Sequence, residues 1–176
     1  RDLGVLVTHA MFDNSLAPTL GKFDAVTLTN MLEHVPAPIH LLQAAIEMLD
    51  SGGLLCVTAP NDYNALQSAL RSKGVRPWWL APPHHLNYFS FASLSRLLAR
   101  LGLQELARST SFPMEIFALM GDIYIDDPVL GRACHLKRIA LDQSLAAQNG
   151  AARQRLYCAL ASAGFGREIT IVAQKP

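Results

Sequence analysis

FDAVTLTNMLEHVPAPIHLLQAAIEMLDSGGLLCVTAPN, residues 23–61, is the stretch that decides the fold. Ala25 to Thr29 is an unbroken β-favouring run between Asp24 and Asn30, which suits a strand covered on both faces. Ile39, Leu42, Ile46 and Leu49 then recur at three- and four-residue spacing, the mark of one apolar helix stripe. Pro38 stands in the first turn, where a missing N–H costs nothing, and Gly52 and Gly53 follow the helix end, where positive φ is cheap. Leu54 to Thr58 reads as a second buried strand, closed by Ala59 and Pro60. Strand, helix and strand in so short a span make one right-handed parallel crossover. The chain therefore holds an open α/β sheet, and such sheets bind ligands at the carboxyl ends of their strands.

Further along, Ser90 is placed to cap a helix whose apolar face is Leu94, Leu97, Leu98 and Leu101 and whose end is Gly102. A strand is expected near Leu103 to Ser109, and the final segment GFGREITIVAQKP carries an alternating Ile169, Ile171, Ala173 set after Gly164 and Gly166. The segment 112–163 reads as helical: Pro113 to Met120, then a longer helix from Asp127 and Pro128 towards Ala147, then Ala151 to Ala163 with Leu156 and Leu160 inward.

These pieces resemble class I S-adenosylmethionine-dependent methyltransferases. The run LEHV, Leu32 to Val35, is similar to the family's signature after its fourth strand, and GGLLCVTAPN is similar to its next glycine turn, strand and Pro-Asn ending. A His and an aromatic-Ser pair before a helix, here His85, Phe89 and Ser90, is also typical, and the last segment resembles the family's last strand. The resemblance implies a Rossmann-like α/β sheet and S-adenosylmethionine as cofactor in the intact protein. It places Thr29, Asn30 and Met31 beside the cofactor's methionine part, and Met11, Phe12 and Asp13 where a loop flanks the adenine.

The family's first strand with its glycine-rich loop, and its second strand with its acidic end, have no counterpart. Gly4 to Thr8 is then expected to be the family's third strand, and the start at Arg1 suggests a domain fragment or a processed product. The whole span 1–176 is read as one partial methyltransferase domain with a helical insertion over 112–163. The expected sheet is strands four, five, seven and six, with the N-terminal strand displaced, swapped or added beside strand four. An uncovered strand four invites pairing with another chain, so a homodimer through that edge or through the insertion is expected.

Composition agrees with a globular domain: 51% of residues are hydrophobic, 16% are charged, and the net charge is +1. A balance so near zero implies neither a nucleic-acid nor an anionic-membrane partner. No apolar run has transmembrane length, and the N-terminus lacks a signal-peptide pattern. Cys56, Cys134 and Cys158 are far apart and odd in number, which fits idle thiols in a reducing cytoplasm.

His84 and His85 are the candidate general bases, since an imidazole near its ordinary pKa can take a hydroxyl proton. Their structural alternative is packing beneath Trp78 and Trp79 and bonding of the loop. Trp78, Trp79 and Tyr88 suit a flat acceptor or a sugar, or plain packing, and Glu115 is placed at the same mouth. Glu33 and His34 suit either site chemistry or bonding to nearby backbone. No metal site is expected, because adjacent histidines do not readily share one ion and no Cys or carboxylate stands at ligand spacing. The function expected is methyl transfer to a small-molecule or saccharide acceptor in the intact protein, this chain being inactive alone. The alternative is a non-catalytic assembly module; a nicotinamide dehydrogenase would need the same absent glycine loop, and no Gly-x-Ser-x-Gly elbow is present.

Overall fold

A computed structural model describes residues 4–176. Four strands, β1 (Phe23–Thr29), β2 (Leu49–Pro60), β3 (Gln104–Ser109) and β4 (Glu168–Gln174), form one sheet in the order β1-β2-β4-β3. β1 and β2 are parallel, with Ala25 opposite Leu54 and Thr29 opposite Thr58. β4 runs antiparallel to both of its neighbours. This is the expected order of strands four, five, seven and six.

Helices α1 (Ala17–Leu20), α2 (Pro38–Glu47), α3 (Ala65–Ser72), α4 (Phe91–Arg100), α5 (Glu115–Leu119) and α6 (Pro128–Ser162) complete the chain. α5 and α6 fall between β3 and β4, so the helical stretch interrupts the last two strands as the sequence suggests. The core lies where the sheet meets α2 and α4. There Leu55 and Val57 of β2 and Ile169, Ile171 and Ala173 of β4 are fully buried with Leu42 and Leu94. The two-residue period of β4 fixes which of its side chains enter that core.

Four local expectations are corrected. Gly4 to Thr8 does not form a strand; Val5, Leu6 and Val7 are exposed. A β-favouring run needs a ladder partner, and the outer edge of β1 is not used by it: most of β1 is exposed. Second, Leu49 belongs to the sheet rather than to the helix stripe, paired with Phe23. α2 therefore ends at Glu47, its buried positions are Leu41, Leu42, Ala44 and Ala45, and Ile39 turns outward. Gly52 and Gly53 lie inside β2, where the register jumps between Phe23 and Ala25, and Gly52 takes φ 79°.

Third, the helix expected over Pro113 to Met120 is confined to Glu115–Leu119. Fourth, Leu156 points outward, whereas Tyr157 and Ala161, one turn apart, are buried. The expected break between two helices is real: Asn149 leaves helical geometry at φ −167°, ψ 108°, and its Oδ1 accepts from the Ala151 amide at 2.9 Å. At the other end Asp127 Oδ1 accepts from the amides of Val129 and Leu130.

Among the described residues, no helix is long and apolar enough to cross a membrane. The three cysteines are free thiols.

Candidate functional site

The carboxyl ends of β1 and β2 are where the chain gathers its polar side chains. Directly after β1, Asn30 adopts φ 50°, a left-handed turn that Asn tolerates, and its amide donates to the Thr58 carbonyl at 2.9 Å. The chain then turns through Leu32–Val35. Leu32 is in the core, Glu33 is 2% exposed, and His34 faces outward. The Glu33 carbonyl accepts the amides of Leu86 and Asn87 at 2.7 and 3.2 Å, and Asn87 Nδ2 donates to the carbonyls of Leu32 and Val35. Loop 84–87 is thus laced onto the LEHV turn.

That docking sets the histidines apart. His34 Nδ1 lies 2.8 Å from the carbonyl oxygen of His84, whose own side chain is exposed. His85 is half-buried, its ring edge-on to His34 with centroids 4.9 Å apart and tilted towards Tyr88 at 6.3 Å. Among the described residues its ring contacts are with His34 and Tyr88, not with Trp78 or Trp79. His34 Nε2 stands 3.6 Å from Glu33 Oε1. One ligand atom from each of Glu33, His34 and His85 can be chosen so that all lie within 4.8 Å of one another. Spacing along the chain does not display this grouping, because His85 arrives from another loop.

β2 leads into Asn61 and Asp62, both buried. Asn61 Nδ2 donates to the carbonyls of Gly164 and Gly166, each at 3.0 Å, which clamps the entry of β4 to the exit of β2. Burial raises the Asp62 carboxyl to about 6; the nearby Arg167 charge lowers it and Glu33 raises it. Tyr63 follows at φ 57°, an uncommon conformation for a bulky residue, with its ring 6.0 Å from Tyr88. Asn64 then caps α3, accepting from Leu66 and Gln67 amides at 3.0 Å. This helix, and Asp62 with it, escaped the sequence reading; the Asn64 cap and Gly74 beyond its end were the signals present.

Glu115 is fully buried rather than at an open mouth. Its Oε1 accepts from Gln67 Nε2 at 3.3 Å and lies 3.7 Å from an Arg167 guanidinium nitrogen. Burial first, and the Glu115 charge second, push the Tyr124 hydroxyl well above its ordinary pKa. Trp78 packs edge-on against Trp79 and Tyr124, and Tyr88 Oη accepts from the Ala81 amide at 3.3 Å. Glu33 Oε2, Asp62 Oδ2, Gln67 Oε1, Glu115 Oε2, Trp79 Nε1 and His85 Nδ1 are buried with no hydrogen-bond partner among the described residues. Buried polar atoms are ordinarily hydrogen-bonded, so each of these is a candidate contact for water or a ligand.

The residues expected at a cofactor do not converge in the same way. Phe12 and Asp13 line a cavity of about 320 Å³ with Val35 and the first turn of α2, but Thr29, Asn30 and Met31 are not in its lining. Met11 is exposed. Asp13 Oδ1 already accepts from the Ser15 hydroxyl and from the Ser15 and Leu16 amides, which hold its carboxyl below the ordinary range.

With that geometry in view, the likenesses to known proteins are specific. A family model described as a methyltransferase domain matches residues 4–107, more than half of the chain, and ends before α5 and α6. Ubiquinone biosynthesis O-methyltransferase of Xanthomonas axonopodis pv. citri is 35% identical over 92 residues, which cover 50% of this chain and 38% of that protein. The protein of the same name from Xanthomonas campestris pv. campestris strain B100 is 46% identical over 41 residues, covering 23% and 17% respectively. The matches thus span well under half the length of these curated relatives. A solved SAM-dependent methyltransferase from Archaeoglobus fulgidus shares the fold with a TM-score of 0.50 at 11% identity, covering 92% of this chain and 64% of that one. The sheet order, the LEHV turn and the family match together make this chain a member of the methyltransferase domain family, with the class I Rossmann-like fold.

Proposed function

We propose that this domain serves S-adenosylmethionine-dependent methyl transfer to a hydroxyl of a small molecule, and that the elements described here supply its acceptor side. The observation that carries the reading is the grouping of Glu33, His34 and His85 after β1, with buried Asp62 after β2 within electrostatic reach of Glu33 and with Tyr88 against both His85 and Tyr63. The oxygen acceptor is supported by the O-methyltransferase name of the Xanthomonas relatives. In this reading Trp78, Trp79 and Tyr88 hold the flat face of the acceptor, and His85 takes its hydroxyl proton. His84, exposed and joined to the cluster through its backbone carbonyl, positions His34.

The exposed edge of β1 and the open surroundings of Asn30 leave one side of a cofactor crevice without a wall, so this chain alone is proposed to transfer methyl groups slowly or not at all. The homodimer expected through that edge is proposed on the same exposure.

The test is calorimetric titration of S-adenosylhomocysteine into this chain and into the whole natural polypeptide, followed by labelled-methyl transfer to phenolic and sugar hydroxyl acceptors. Binding and transfer by the whole polypeptide, with transfer falling about 100-fold or more in His85→Ala, is the expected result. Absence of binding in both overturns the proposal in favour of a non-catalytic assembly module.

A further inference from the structure

We propose that Glu33, His34 and His85 form a binding site for a divalent transition-metal ion of the Zn²⁺ class. Two histidines and one carboxylate from two separate segments meet here, with one ligand atom from each inside a 4.8 Å span. Around a Zn²⁺ ion with bonds of about 2.0–2.2 Å, ligand atoms stand roughly 3–3.5 Å apart, so closure needs only small side-chain rotations. His34 and Glu33 are nearly there, with Nε2 and Oε1 at 3.6 Å.

Three independent features point the same way. The first is the fixed orientation of His34: its Nδ1, hydrogen-bonded to the His84 carbonyl at 2.8 Å, carries the proton, so the lone pair sits on Nε2, on the side of Glu33. The second is unmet demand. Glu33 is 2% exposed and its Oε2 finds no partner among the described residues, and the same holds for the buried Nδ1 of His85. Burying a carboxylate without partners is costly, and a bound cation removes that cost. The third is mounting: the Glu33 carbonyl accepts the Leu86 and Asn87 amides, so the segment bearing His85 is fixed to the segment bearing the other two ligands.

The donor set selects the ion. Imidazole nitrogens suit Zn²⁺ and its neighbours, whereas Mg²⁺ and Ca²⁺ prefer all-oxygen sites. Three protein ligands with an exposed His34 leave a coordination position open to water or to an oxygen donor, the arrangement of a catalytic rather than a closed structural site. The ion requires neither cofactor nor methyl transfer, so its test is separate from that of the proposed function.

The experiment is equilibrium dialysis of the chelator-treated chain against Zn²⁺, with Co²⁺ substitution as a spectroscopic readout of nitrogen ligation. Expected are one equivalent bound per chain, binding about ten-fold or more weaker in His85→Ala and Glu33→Gln, and binding unchanged in His84→Ala, which keeps the carbonyl that orients His34. Millimolar Mg²⁺ does not compete. His85→Ala, at a half-buried loop position, decides the matter if Glu33→Gln fails to fold. With the ion bound His85 is a ligand and not a proton acceptor, so Glu33→Gln, which weakens the site while leaving the imidazole in place, separates the two readings of His85. The proposal is overturned by no saturable binding, or by His85→Ala binding Zn²⁺ as tightly as the parent chain.

Discussion

The Nδ1 atom of His34 sits 2.8 Å from the backbone oxygen of His84, joining two turns fifty residues apart. With the Glu33 carbonyl holding Leu86 and Asn87, and Asn87 Nδ2 holding Leu32 and Val35, the LEHV turn acts as a docking strip for the following aromatic loop. The motif is therefore a scaffold through its backbone and a ligand set through its side chains.

Asn87 is the side chain that spans this junction. Asn87→Ala leaves the Leu32 and Val35 carbonyls without that donor and is expected to cost about 1–3 kcal/mol. Urea unfolding measures the loss, and Trp78 and Trp79 fluorescence is expected to shift towards a more solvated environment before global unfolding.

Gly166 is the tightest glycine in the fold. It takes φ 121°, and a Cβ there would fall 1.8 Å from Thr110 Oγ1, while its carbonyl accepts from Asn61. Gly166→Ala is expected to destabilise the chain by roughly 1–3 kcal/mol or more. Adding Thr110→Ala removes Oγ1 and Cγ2 but leaves the residue-110 Cβ 2.5 Å from the new methyl, and the backbone strain with it, so the double variant is expected to recover stability only in part in urea titration.

Asp62 sets a pH dependence. Burial raises its folded pKa from 3.8 to about 6, so the folded state binds the extra proton between those values. Its contribution to stability is fully present below pH 3.8 and is lost as pH rises through about 6, on the order of 3 kcal/mol in all. In metal-free buffer Asp62→Asn is expected to flatten that part of the stability profile, and thermal melts from pH 4 to 7.5 check the sign.

Ser90 and Ser93 cap α4 reciprocally: the Ser90 hydroxyl accepts from the Ser93 amide at 3.2 Å, and the Ser90 amide donates to Ser93 Oγ at 2.9 Å. Ser90→Ala is expected to cost about 1 kcal/mol, seen as a lower urea midpoint with an unchanged slope.

Where a side chain's role is local, the sequence carried it. Ser90 and Gly102 delimit α4, Asp127 starts α6, and Ile169, Ile171 and Ala173 alternate into the core because a strand has a period of two. Leu49 was misplaced for the opposite reason: helix and strand periods overlap at one position, and only pairing with Phe23 assigns it to the sheet. The run Gly4 to Thr8 shows the same limit, since β propensity without a partner edge makes no strand.

By itself the sequence determined the parallel crossover, the family resemblance and the polar character of the segments that follow β1 and β2. These depend on hydrophobic period, caps and glycine positions, all encoded within a few residues of where they act. Only the tertiary structure decided that Glu33, His34 and His85 share one space, that His84 faces away, and that Glu115 is sealed against Gln67 and Arg167. Those outcomes follow from how the loop before α4 docks on the turn after β1. That docking is made by backbone hydrogen bonds between distant segments, which leave no periodic trace in the chain.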